Sequence, residues 1–550
     1  MESKEPKYAE VQCVEALEVE DGIPANAASS PDGESGLASS IPTATEVDDY
    51  ENEPKYGCIT VTWEKGEVQS SEYRDKGFAI AFVTHLVALM GLALAFGRVA
   101  WMDANESSSD NEEKSQAYHS QEGANATFDT SDPAPKDFWY AVMIIALVAS
   151  PVLSFLSLTV MSRNPIMLIK ASLWFSIVLN IVAAVLLFAT AQPYGGIIFT
   201  IFIVCLIWYA RRVQNRIPYA AANLTTGITI LKTNLGIVFV AVGSMVVLLG
   251  YFFLWISAFL GVLSLDVMHE ITSSAYDDSE EQSVLSLLGG FVGFLFLLSL
   301  YWTHQVVKNV LRSTVSGVVG TFWFDPTEAS SFCSSAVGHS FIRSTTYSLG
   351  SICFGSLIVA LLHMLHKSLH RAQRTGGILR CIVHCILAYI EALVQYFNKW
   401  AYIYVGLYGY SYIDAGKRVA NLFKTRGWQT IIADNLVNRL LGIISLTIGL
   451  LTGVCTLFAA FVVGEFESRQ GLMGFGFVVG FFIGLIFSGV FMGLLSSAVD
   501  AVIVCYAEAP NELHDSHPAI SQKMHQTWNE AWGNLSGPVI FTLGGGLGII

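Results

Sequence analysis

Long apolar runs separated by short polar stretches fill the chain from residue 77 onward. They fall at about 77–99, 137–160, 167–189, 195–213, 234–263, 284–306, 346–367, 381–406, 436–463 and 472–505. A helix needs roughly 20 apolar residues to cross the hydrocarbon core, and each run approaches or exceeds that length. Backbone polar groups in lipid must be satisfied within the segment, so these runs predict helices. A membrane barrel would alternate polar and apolar residues in strands of about ten, and this chain does not. The pattern predicts an all-α polytopic membrane protein with about ten transmembrane helices. In the last run, Gly476, Gly480, Gly484 and Ser488 recur every four residues on one helix face. Such a stripe permits close helix packing; a flexible gating helix is the alternative reading.

Composition agrees with the pattern. The chain is 53% hydrophobic and 14% charged, whereas soluble chains carry about 25% charged residues. A soluble enzyme and a secreted disulfide scaffold are both excluded. A net charge of −15 lacks the basic face that nucleic acid requires, so no nucleic-acid partner is expected. Nearly all of that surplus lies in residues 1–72, which hold 17 Asp or Glu against four Lys. This segment is rich in Ser, Ala, Gly and Pro and cannot bury enough apolar surface to fold. It reads as a disordered acidic cytosolic tail, either merely solvated or regulatory. No apolar signal region follows Met1, so the run from Gly77 would itself direct insertion.

Loop charge supplies orientation. Residues 100–136 hold eight acids and two Lys, with glycosylation sequons at Asn105 and Asn125. Residues 265–283 hold six acids and no Lys or Arg, and the turn near 464–470 is also acidic. By contrast, 209–233 carries Arg211, Arg212, Arg216 and Lys232 without an acid. Basic loops stay cytoplasmic, which places both termini in the cytosol and the acidic loops outside. One loop resists: Lys367, Arg371, Arg374 and Arg380 would lie outside. The regions 304–345 and 396–412 are therefore expected to include half-spanning or interfacial helices. The layout is an acidic tail (1–72), a membrane domain (73–507) and a cytosolic C-terminal tail (508–550). The plasma membrane is the expected location, with an endomembrane as the alternative.

Nine cysteines do not form a disulfide pattern. Cys381 and Cys385 flank His384, but further metal ligands are missing, and buried or palmitoylated thiols are the expectation. No G-x-x-x-x-G-K-[ST], H-E-x-x-H or G-x-S-x-G motif occurs. No enzyme, metal or cofactor is therefore expected, nor ATP-driven transport by this chain alone. His514, Asp515 and His517 read as part of a solvated tail. Ionisable residues inside spans are costly and are site candidates by default. They are His85 in the first run, His304 with Gln305 at the end of the sixth, Glu391 in the eighth and Asp500 in the tenth. A neutral packed histidine at 85 and a paired interfacial carboxylate at 500 are the plainer alternatives. Tyr396, Trp400, Tyr404, Tyr408 and Tyr412 recur every four residues. They read as an interfacial belt or packing stripe, or as a cage of π faces for a quaternary ammonium. Trp302 is a second candidate wall.

Four segments resemble one family. These are LYWTHQVVKNVLRSTVSGVVGTFWF (300–324), SFIRSTTYSLGSICFGSLIVALLHMLH (340–366), FNKWAYIYVGLYGYSYIDAGKRV (397–419) and LLSSAVDAVIVCYAEAPNE (494–512). In this order they resemble the choline transporter-like proteins, over about residues 73–530. The loop after the first run is short and cysteine-free, as in the fungal and protist branch rather than the animal one. The resemblance implies about ten spans, cytosolic termini and ATP-independent movement of choline or a related cation. It singles out Asn398 and Tyr402 through the Asn-x-x-Ala-Tyr segment. Gln305 stands where an acidic residue is common in the family.

The sequence thus points to a carrier of a small organic cation, by facilitated diffusion or cation–proton exchange. Trp302 and Tyr402 would supply π faces, with Gln305 and Asn398 nearby, and Glu391 and Asp500 would supply countercharge or a proton site. Membrane lipids are the other expected partner. The rivals are a channel or lipid-handling membrane protein, and a membrane scaffold without transport.

Overall fold

The computed structural model describes residues 72–119, 136–190, 193–263, 280–325, 329, 334–371, 378–463 and 470–532, and all their regular elements are helices. The first six are α1 (Lys76–His119), α2 (Lys136–Arg163), α3 (Pro165–Ala189), α4 (Pro193–Val213), α5 (Ile217–Thr233) and α6 (Gly236–Leu263). There follow α7 (Glu280–Phe324), α8 (Ser335–Thr345), α9 (Leu349–Arg371) and α10 (Ile378–Tyr408). The last four are α11 (Tyr412–Val463), α12 (Gln470–Glu508), α13 (Pro510–Ser516) and α14 (Pro518–Trp532). Nine described helical stretches are long and apolar enough to cross a membrane, and α10 covers the remaining run at 381–406. The chain is an integral, multi-pass, all-α membrane protein.

Several helices outrun their apolar cores, and this corrects the sequence-based boundaries. The apolar part of α1 ends at Gly97, yet the helix continues to His119 through half of what reads as an acidic loop. No Gly or Pro interrupts residues 98–122, and their Glu, Lys, Gln and Ala favour helix in water. Asn105 lies on this extension. Asn125 lies outside the described residues, as do most of the acidic tail and the loop segments 264–279, 372–377 and 464–469. Likewise α7 runs on to Phe324, so His304 and Gln305 fall within a helix rather than at its end. The aromatic series is also divided. Gly409 adopts a left-handed φ of 68°, a conformation that favours glycine. It ends α10 at Tyr408, leaving Tyr412 to begin α11.

Junctions between the helices gather at one rim. The Arg74 N–H donates to Tyr347 O at 3.0 Å. Beside it, Asp75 Oδ2 accepts from Ser351 Oγ at 2.6 Å and from the Tyr412 N–H at 3.1 Å. Trp323 Nε1 donates to Ala509 O at 2.8 Å, and Ser334 Oγ to Asn234 Oδ1 at 2.7 Å. Lys232 Nζ reaches Ser162 Oγ at 3.2 Å. The start of α1, the 325–348 connection, the Gly409 break and residue 509 therefore share a side. The order of the helices is consistent with ten of them running away from and back to that rim in turn, with α5 and α8 at it. Residues 510–532 are no solvated tail: Leu513, Met524 and Trp528 are buried, and His517 stacks on Phe322 with centroids 4.1 Å apart.

The small-residue stripe is a packing seam. Thr456 Oγ1 donates to Gly476 O at 3.0 Å, and Ser445 and Ser488 hydroxyls meet at 2.7 Å. A Cβ on Gly484 would come within 2.8 Å of Thr452. Small residues at these positions let α12 lie close along α11.

Candidate functional site

Helix α7 is packed by α6, α8, α9, α10 and α12, and Thr303, Asn309 and Ser313 are buried against them. Tyr301, Gln305, Lys308 and Arg312, each three or four residues from the last, share one face, with Lys308 exposed and the other three half-buried. Alongside it, α10 presents Glu391, Gln395, Asn398, Lys399 and Tyr402. The two helices meet closely where Ser313 Oγ donates to Tyr402 O at 3.1 Å. A Cβ on Gly406 would strike the Ser313 backbone.

One turn of α9, Cys353 to Ser356, draws together three of the expected residues. Trp302 Nε1 donates to Cys353 O at 3.0 Å. Asn398 Nδ2 donates to Gly355 O at 3.2 Å, and its Oδ1 accepts from the Tyr412 hydroxyl. The Tyr402 hydroxyl lies 3.3 Å from Ser356 Oγ, which in turn accepts from Asn309 Nδ2 at 3.0 Å. A Cβ on Gly355 would collide with the Tyr402 hydroxyl and the Tyr412 ring. The glycine is what lets four helices meet there.

Trp302 packs edge-on to Phe82 and lies 5.2 Å from the ring of His85. His85 Nε2 is 2.7 Å from Ser299 Oγ, which also meets the Tyr251 hydroxyl at 2.8 Å. His85 is nine residues, about 14 Å, along α1 from Lys76. That is close to half of a roughly 30 Å hydrocarbon core.

Glu391 is buried with two histidines that the sequence reading missed. Its Oε1 accepts from His363 Nδ1 at 2.7 Å and its Oε2 from His366 Nδ1 at 2.6 Å. Gln395 Nε2 donates to Oε1 at 3.1 Å. The Tyr301 ring stacks on His363 at 4.0 Å, and Lys367 Nζ stands 5.3 Å from the same ring. Both Nδ1 atoms donate to one carboxylate, so any further proton on either imidazole adds at Nε2. His363 Nε2 is buried without a hydrogen-bond partner among the described residues.

Asp500 belongs to a second buried cluster. Lys399 Nζ forms an ion pair with Asp434 on α11 and lies 2.9 Å from Asp500 Oδ2 on α12. Asn438 Nδ2 donates to Asp434, and Ser496 Oγ to Asn438 Oδ1 at 2.7 Å. The ammonium also stands 5.2 Å from the Trp400 ring centroid and 6.0 Å from that of Tyr396. Arg312 Nη1 donates to Asn309 Oδ1 at 3.3 Å, while its buried Nε has no hydrogen-bond partner among the described residues. Trp400, Tyr404 and Tyr408 are buried. These rings therefore pack inside the bundle rather than forming an interfacial belt. Among the described residues no group of His, Cys, Asp and Glu is arranged to hold a metal ion.

Residues 197–511 match the sequence profile of a family described as plasma-membrane choline transporter. Protein PNS1 of Mycosarcoma maydis is 31% identical over 402 residues, covering 70% of this chain and 73% of the relative. A CTL-like protein of Dictyostelium discoideum is 27% identical over 408 residues, covering 73% and 69%. Protein PNS1 of Saccharomyces cerevisiae is 28% identical over 397 residues, covering 68% and 71%.

Proposed function

The chain belongs to the choline transporter-like family, and from that premise we propose that it carries a small organic cation of the choline type across a membrane without ATP. The observation that carries the reading is the meeting of Trp302, Asn398 and Tyr402 on one turn of α9. Glu391 and Lys399, which anchor two buried acidic clusters, lie on the same helix, α10, as Asn398 and Tyr402. A quaternary ammonium has no N–H to donate, so π faces and carboxylates must hold it. Tyr402 and Trp302 offer the faces, Glu391 and Asp500 the charge, and Gln305 lines the α7 side. Helix-bundle carriers bind near the bilayer midplane, the depth to which His85 and Trp302 belong.

Exchange against a proton fits Glu391, because a cation and a proton compete for the single negative charge that two imidazoles share. In this reading residues 73–507 form the carrier. The acidic tail and residues 508–550 are cytosolic, and Asn105 and Asn125 are external acceptors for glycans.

One observation broadens the substrate class. Lys308 is exposed, has no acidic partner among the described residues and lies one turn from Arg312 on the same face. Two cations one turn apart suit a zwitterion, a quaternary ammonium bearing a carboxylate or phosphate, as well as a plain ammonium. The test is uptake by purified protein in liposomes, without nucleotide, from a panel of quaternary amines and zwitterions under imposed pH gradients. Saturable uptake stimulated by an acid interior, with that stimulation lost in Glu391→Gln, is expected. If no amine or zwitterion moves under any gradient, the carrier reading is wrong.

A further inference from the structure

The Lys399 ammonium pairs with two carboxylates, Asp434 and Asp500, the latter at 2.9 Å, and stands beside the faces of Trp400 and Tyr396. Two aromatic faces and two carboxylates around one nitrogen also suit a cation without N–H donors. The site offers charge and π surface, and three different helices supply it.

We propose that Tyr396, Trp400, Asp434 and Asp500 form a binding site for a quaternary ammonium, and that Lys399 fills it in this conformation as a tethered surrogate that the substrate displaces. The proposal rests on the organic-cation reading and places a second cation station one to two turns along α10 from Glu391. Its chemistry is an exchange of cations. When the guest enters, the Lys399 side chain swings out and the cluster keeps the same net charge. The two carboxylates therefore never stand unneutralised in the buried interior, where an unpaired charge is costly. It also explains why the strongest aromatic series on α10 faces the bundle interior.

A tethered competitor lowers the apparent affinity of the guest by the fraction of time the site stands open. Removing the competitor should reverse that. The probe is tetramethylammonium, which has neither N–H nor hydroxyl groups, titrated calorimetrically into the purified full chain. Lys399→Met should bind it about tenfold more tightly than the parent, and Lys399→Arg should bind like the parent. Adding Trp400→Leu to Lys399→Met should abolish the gain. The double change Lys399→Met with Asp434→Asn leaves one carboxylate for one guest, and covers the case in which the single variant fails to fold. Equal affinity in parent and lysine-free variants, or a gain that survives Trp400→Leu, would overturn the proposal. The two readings fail separately. Uptake of an organic cation without any gain in Lys399→Met removes the surrogate and leaves the carrier. A gain in Lys399→Met without uptake of any panel member does the reverse.

Discussion

Gly355 shows how one missing side chain shapes the site. Any Cβ there would run into the Tyr402 hydroxyl and the Tyr412 ring, and neither can retreat far. Tyr402 is fully buried and Tyr412 hydrogen-bonds to Asn398. Gly355→Ala should therefore cost about 1–3 kcal/mol through overpacking and reduce transport, as read by thermal unfolding and uptake at matched expression. At Lys399 the ordering of variants is the sharper prediction. One lysine ammonium serves two buried acids, so Lys399→Met leaves both without it. Removing one partner of a buried pair costs about 3–5 kcal/mol. Asp500→Asn leaves the Lys399–Asp434 pair intact and should cost clearly less. Equal losses of thermal stability in the two variants would mean that the Lys399–Asp434 pair alone does not hold the cluster. Glu391 and Asp500 were legible in the sequence because each is an acid within an apolar run. Their partners were not. Arg312 and Lys399 lie in stretches that read as interfacial, Asp434 precedes the run at 436–463, and His363 and His366 close a run that sequence periodicity cannot aim at α10.

At the scale of elements, hydrophobic run length located the crossing helices, because lipid leaves helix as the satisfied backbone form. It did not locate all their ends, because α1, α7 and α11 continue as helix beyond their apolar runs. There packing and propensity take over from hydropathy. The C-terminal pair α13 and α14 was missed for a related reason. Leu513, Met524 and Trp528 are too widely spaced among polar residues to register as an apolar run, yet they bury one face against the bundle. His517 marks that docking. Burial against Phe322 holds its imidazole below the usual histidine pKa, opposed by its 3.3 Å contact with Phe322 O. The docked form thus favours neutral His517, while the released segment takes up a proton below about pH 6.5. Docking should weaken as pH falls through that value, and its stability should be fully present above it. Limited proteolysis of the 510–532 segment should therefore speed up from pH 7.5 to pH 5.5. In His517→Gln, which cannot titrate, the rate should change less over the same range. The same pH response in both would remove His517 as its cause.

For the whole molecule, the rim fixes which junctions share a side, independently of any charge rule. The start of α1 touches residues 347, 351 and 412, and residue 509 touches the end of α7. The α2 end, the start of α6 and the start of α8 join the same set through Ser162, Lys232, Asn234 and Ser334. With helices alternating from that rim, the junctions after α1, α3, α6, α9 and α11 all fall on the opposite face. The basic connection between α9 and α10 therefore goes with the acidic ones, against the charge rule. Its position is set by α9 and α10 packing along α7, which single-loop charge counting cannot see. Single cysteines test this in intact cells with an impermeant thiol reagent. Gln214, Tyr347 and Ser411 should behave alike, and Ser108, Ser279 and Gly376 should behave alike in the opposite sense. If the rim is cytosolic, as the basic residues around Arg211 and Arg216 require, the second set labels and the first does not. Labelling of Gly376 with Gln214 rather than with Ser108 would break the alternation. It would mean that α9 and α10 enter and leave from one side, and that the Glu391 cluster lies in a re-entrant pair instead of two crossing helices.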